Sequence, residues 1–219
     1  MSKVLVFHGG WQGHQPRQFA AWTAEALTQQ GAKVDVHDTL DVLDDPVTLT
    51  QYDLIVPIWT MGELSGARER NLMRAVEAGT GLAGWHGGMG DAFRASLEYK
   101  MMVGGQFVAH PGDIRTYTVN ISGQDDPITR GVADFEITSE QYYLHVDPGN
   151  EVIATTTFDG DVMPWLAGMV MPVAWKRSWG RGRVFYLALG HAVAEFDIPE
   201  VRTLATRGMA WAARTEGFA

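Results

Sequence analysis

Three of the seven histidines in this 219-residue chain stand beside glycine at the ends of apolar runs. His8 follows Val4–Phe7 and precedes Gly9-Gly10. His86 is the centre of Gly84-Trp85-His86-Gly87-Gly88, and His191 follows Leu189-Gly190. Imidazole exchanges protons near neutral pH and ligates divalent metals, so these residues suit acid–base or metal chemistry. Any one of them could equally cap a strand. Three in the same kind of position favour a shared site, because ligands of open α/β sheets bind beyond the carboxyl ends of the strands.

The glycine spacing around His86 is that of a strand-to-helix elbow, which exposes its central side chain. A serine or cysteine nucleophile is absent there, which argues against an esterase. The Lys and Ser/Thr of a phosphate loop are also missing. Glu140, in Ser139-Glu140-Gln141-Tyr142-Tyr143-Leu144-His145, is read as a general base or a metal ligand. His86, His191 and Glu140 are therefore the catalytic candidates. His8, His86, His191 and Glu140 are the candidate ligands of a divalent metal.

The chain has 8 tryptophans. Trp11, Trp59 and Trp85 fall at strand ends, and Trp175 flanks a late strand. Aromatic faces beside polar groups suit stacking on a sugar ring, although at least half of the tryptophans are needed in the core. With His8, His14, His110 and Tyr142 they make up the candidate substrate-binding set.

The elements that must position these groups alternate through the first half of the chain. Val4–Phe7, Lys33–His37, Asp53–Trp59 and Gly81–Trp85 read as strands. Pro16 opens one helix that Gly31 stops, and Ser65 caps another that ends at Gly79. This order predicts right-handed crossovers and a parallel sheet with helices on both faces. In the second half, Arg115–Ser122 alternates like a one-sided antiparallel strand. Glu151–Thr156, Pro172–Trp175 and Arg183–Leu189 are further strands. Asp197 and Glu200 read as a capping box for a last helix with Val201, Leu204, Ala205 and Met209 on its buried stripe. No linker interrupts the pattern, so residues 1–219 are read as one domain, ordered except at the last few residues.

Composition narrows the function. The chain is 46% hydrophobic and 20% charged, as in a globular protein, with a net charge of -9. No basic cluster is present, which argues against nucleic acid and against an anionic membrane surface. Cysteine is absent, so disulfides, thiolate zinc sites and cysteine nucleophiles are excluded. Val4–Phe7, straight after Met1-Ser2-Lys3, is too short for a signal-peptide core, and no window approaches the ~20 apolar residues of a membrane span. A cytoplasmic location is expected. No nucleotide cofactor is expected, and a homodimer is a candidate assembly.

Taken together, the motifs resemble the trehalose-utilisation (ThuA-like) family. The resemblance rests on His8, Gly84-Trp85-His86-Gly87-Gly88, Gly104-Gly105-Gln106-Phe107 with His110, and Asp126-Pro127-Ile128-Thr129-Arg130-Gly131. It continues through Glu140-Gln141-Tyr142-Tyr143, Pro172-Val173-Ala174-Trp175, Gly182-Arg183-Val184-Phe185-Tyr186 and Leu189-Gly190-His191. It implies a flavodoxin-like, class I glutamine amidotransferase-like fold and a role in sugar catabolism, on keto sugars or trehalose-type disaccharides. Glutaminase activity is not implied, because His86 stands where those enzymes carry cysteine. His191 takes the place of the amidotransferase base, but position 193 is Val where an acid is expected, and Glu195 lies further on. Ser139-Glu140 replaces an expected pair of acids. Two readings follow: an enzyme acting on a small carbohydrate, or a non-catalytic carbohydrate-binding or sensing protein.

Overall fold

In the computed structural model, which describes residues 1–214, a nine-stranded mixed sheet runs through the molecule. The expectation about the last few residues lies outside the described part. The parallel half is built from β1 (Lys3–Gly10), β2 (Lys33–His37), β3 (Leu54–Thr60), β4 (Gly81–Trp85) and the late strand β11 (Gly182–Leu187). Their order is β2-β1-β3-β4-β11, with every neighbour parallel. Val4 to Phe7 and Leu54 to Val56 are fully buried because helices cover both faces, which is why these strands read as unbroken apolar runs.

The connecting helices are α1 (Pro16–Gln29), a short α2 (Pro46–Leu49), α3 (Gly66–Glu77), α4 (His86–Gly90) and α5 (Leu97–Val103), with α6 (Pro199–Ala212) closing the described chain. Ser65 caps α3 as expected, its Oγ accepting from the Arg68 N–H at 3.3 Å. Ser65→Ala is expected to cost about 1 kcal/mol in urea unfolding, the usual worth of such a cap. The capping box of α6 does not form. Ile198 is its N-cap residue and makes no side-chain cap bond, while Asp197 accepts from Arg202. Pro199, at the first helical position, opens this helix instead.

The second half is antiparallel: β10 (Val170–Trp179), β9 (Glu151–Thr157), β6 (Ile114–Ile121) and β7 (Phe135–Glu140) extend the sheet from β11 in that order. β6 has the one-sided burial that its alternation predicts, with Tyr117, Val119 and Ile121 inside. The segment Pro172–Trp175 is only part of the ten-residue β10. Pro172 lacks a donor, and the β9–β10 register slips on its far side, which hid the strand's length. A separate two-stranded sheet joins β5 (Gly105–Ala109) to β8 (Tyr143–Val146). β5, β7 and β8 were not legible, because they are half-buried and carry no long apolar run.

Candidate functional site

The carboxyl ends of the parallel strands and the end of β7 meet at one point. His14 ends a short 3-10 turn (Gln12–His14) after β1, Thr60 ends β3, His86 follows β4, and His191 lies beyond β11. β7 contributes its last residue, Glu140. One ligating atom from each of His14, His86, Glu140 and His191 can be chosen so that all four lie within 4.8 Å of one another. Glu140 Oε2 is 3.0 Å from His86 Nε2 and 3.9 Å from His14 Nε2, while its Oε1 is 3.3 Å from His191 Nδ1.

The chain has gone to some length to hold this geometry. His86 takes a left-handed backbone, φ 46°, at the start of α4. This conformation costs a non-glycine residue about 1–3 kcal/mol and recurs at functional sites. The elbow expected from the glycine spacing is therefore real, although a histidine occupies it. The ring of His86 is buried, donates from Nδ1 to the Ala188 carbonyl at 2.8 Å, and stacks on Tyr142 at 4.0 Å between centroids. The Tyr186 hydroxyl donates to the His86 carbonyl at 3.1 Å. His14 Nδ1 is 2.9 Å from Thr60 Oγ1. Gly87 leaves the space that the His14 ring fills, since a Cβ there would overlap the imidazole.

Burial lowers the pKa of His86 to about 4, against the pull of Glu140. Burial alone would raise the Glu140 carboxyl, but the three imidazoles around it outweigh that and hold it well below the usual carboxylate range. Contact with Glu140 raises His191, against burial. Burial drives the Tyr142 phenol well above its ordinary value, so it stays protonated.

Glu195 was noted in the sequence only as a distant acid. Its Oε2 accepts from the N–H groups of Gly190 and His191 at 2.9 and 3.2 Å, and its Oε1 accepts from Ser139 Oγ at 2.7 Å. It thus ties the His191 loop to the residue before Glu140. Nothing in its spacing announced this, because Ser139 is 56 positions away.

A cavity of about 190 Å³ opens over the cluster, lined by Trp11, His14, Met61, Asp91, Arg94, Phe107, His110, Glu140 and Tyr142. Trp11 is about half exposed and meets His14 edge-on at 4.7 Å. His110 Nε2 is 3.7 Å from Glu140 Oε1, with its ring stacked on Phe107. Arg94 and the buried Asp91 form a two-bond ion pair at 2.6 and 2.8 Å. Sequence reasoning missed this pair, since neither residue sits in a motif.

Other members of the candidate set lie elsewhere. His8 is not beyond the first strand but inside it, paired with Ile58, and its nearest charges are Asp38 and Arg17. It is replaced in the cluster by His14, expected only as a substrate contact. Trp85 packs in the core with Phe19, Trp22 and Phe196. Trp175 is fully buried, lies tilted against Tyr186, and donates to the Val103 carbonyl at 2.9 Å. Neither can stack on a ligand. Trp59 is half-buried, fills the space left by Gly9 and faces Phe93, outside the cavity lining.

The same architecture recurs in solved structures. A ThuA-like protein from Bacteroides uniformis superposes with a TM-score of 0.80 at 18% identity, over 96% of this chain and 91% of that one. A ThuA-like protein from Parabacteroides merdae gives 0.76 at 18% identity, over 96% and 89%. A cytoplasmic protein from Salmonella typhimurium gives 0.65 at 13%, over 96% and 99%. The fold is thus that of the ThuA-like α/β proteins. The family model described as trehalose utilisation matches residues 3–212, and the chain belongs to the ThuA family. No curated protein sequence matches it. Among the described residues, no helix is long and apolar enough to cross a membrane.

Proposed function

We propose that this protein is a carbohydrate-catabolic enzyme that acts on a keto sugar or a keto derivative of a trehalose-type disaccharide. The observation that carries the reading is the Glu140–His14–His86–His191 cluster under a small cavity with aromatic walls in a member of a trehalose-utilisation family. At about 190 Å³ the cavity is below the ~300–1,000 Å³ of sites for drug-sized ligands, a size suited to about one sugar ring. Trp11 offers an apolar face at its mouth, and Asp91, Arg94 and His110 offer hydrogen bonds to hydroxyls.

The chemistry needs one base and one acid. A ring carbonyl acidifies the neighbouring C–H. Glu140 takes that proton, and the electron pair moves onto the carbonyl oxygen as an enolate. When the enolate collapses, the bond to a β-placed glycosidic oxygen breaks, and Glu140 hands that oxygen the proton it removed. His86 stands 3.0 Å from Glu140, and Tyr142, which stays protonated, packs against the His86 ring.

Turnover of a 3-keto disaccharide, followed by NMR for the wild type and His86→Ala, tests the reading. Conversion by the wild type that is lost in the variant supports it. Sugar binding without conversion contradicts it and favours a sugar-binding role, and equal conversion by both proteins contradicts the place given to His86. Gly87→Ala is expected to push His14 out of place and slow conversion at least ~10-fold, with far-UV circular dichroism unchanged; a wild-type rate would mean that His14 has no part in the reaction.

A further inference from the structure

We infer that His14 Nε2, His86 Nε2, His191 Nδ1 and the Glu140 carboxylate form the inner shell of a divalent metal site for a zinc-class cation. The inference deepens the proposed function at the same site, but its evidence and its test involve no sugar.

The argument begins with proton accounting at His86. Its Nδ1 faces a backbone carbonyl at 2.8 Å, and a carbonyl only accepts, so Nδ1 carries the hydrogen. A neutral ring has no second hydrogen. Its Nε2 therefore points a lone pair at Glu140 Oε2, 3.0 Å away, and two acceptors do not meet at that distance unless something positive lies between them. Either the ring takes a second proton in a setting that is almost wholly buried, or a cation binds both atoms.

Two further observations favour the metal. His191 Nδ1 is buried without an aligned hydrogen-bond partner, although it lies 3.3 Å from Glu140 Oε1. An unsatisfied buried imidazole nitrogen that faces a carboxylate is costly as it stands and is satisfied by a shared ion. In addition, two of the three histidines are already oriented through their other nitrogen: His86 by the Ala188 carbonyl and His14 by the Thr60 hydroxyl. Such outer partners are the usual means of fixing a metal-binding imidazole. Gly87 extends the same provision, because its missing side chain is what admits the His14 ring.

Separations and donor chemistry select the ion. Bonds of about 2.0–2.1 Å in a tetrahedron put ligand atoms about 3.3 Å apart. Glu140 lies 3.0, 3.3 and 3.9 Å from the three nitrogens, so small side-chain rotations suffice. Three imidazoles and one carboxylate suit zinc, cobalt or nickel and supply too few oxygens for calcium or magnesium. His110 and Asp91 stay on the cavity side, where a substrate carbonyl would approach the metal.

Full-length protein stripped with chelator is titrated with Zn²⁺ and Co²⁺ by calorimetry, and the visible spectrum of the cobalt form is recorded. The expected result is one ion per chain with the absorption bands of low-symmetry cobalt. Affinity should fall at least ~10-fold in His191→Ala and Glu140→Gln, and about 10–100-fold in Thr60→Val, which removes only the partner of His14. His191 is partly exposed and Thr60→Val is nearly isosteric, so both variants test the site without removing a core side chain. Substoichiometric uptake by the wild type, or wild-type affinity in all three variants, overturns the inference. Nitrogen-15 spectra of stripped protein that show a doubly protonated His86, with no metal taken up, would assign the space to a proton.

Discussion

Glu140→Gln is expected to lower kcat on the keto sugar by about 10²–10⁴-fold while leaving the fold intact. The loss follows from removing the one carboxylate of the cluster, the base of the proposed reaction, and positioned acid–base groups contribute on that scale. The preserved fold follows from the same contact that motivates the metal. Glu140 Oε2 stands 3.0 Å from His86 Nε2, and the amide of glutamine can donate to that lone pair where the carboxylate cannot. Thermal unfolding and steady-state kinetics on one preparation check both parts. A variant that unfolds, or one that retains more than about a tenth of wild-type kcat, contradicts the assignment.

His86→Ala is the second large effect, and it falls on stability as well as turnover. The ring is stacked on Tyr142 and is the partner of the Ala188 carbonyl. Its removal opens a cavity and orphans a buried acceptor, together worth about 2–4 kcal/mol. In a chain of this size that lowers Tm by roughly 5–15 °C. Turnover should disappear below the fall in stability, at temperatures where the variant is still folded. A loss of stability under about 1 kcal/mol would mean that the elbow does not depend on this ring.

The parallel half of the sheet was legible because burial on both faces forces continuous apolar strands such as Leu54-Ile55-Val56, and capped helices between them set the crossover order. That order alone placed His86 and His191 at one sheet edge. Glu140 was found from its neighbours Tyr142 and Tyr143 and from the family resemblance, not from any periodicity. What stayed hidden depends on long-range contact. His14 joins the cluster through Thr60, 46 residues away, and Glu195 acts through Ser139 and two backbone N–H groups. His8 was misplaced because β1 runs on to Gly10, three residues past its apolar run. Trp85 and Trp175 show the limit of reading aromatics by position, since Trp85 ends β4 but packs against the helix layer and Trp175 lies inside β10.

The central claim is that this cluster moves a proton at the carbon next to a sugar carbonyl. The measurement that tests it most directly is deuterium exchange at that carbon in D₂O, followed by NMR on a 3-keto sugar lacking a leaving group, so that enolisation is seen without elimination. The wild type is expected to wash deuterium into the position far faster than buffer, and Glu140→Gln to reduce the exchange to about the buffer rate. Exchange at the buffer rate by the wild type, or undiminished exchange in the variant, would show that Glu140 is not the base and that this cleft serves some other chemistry.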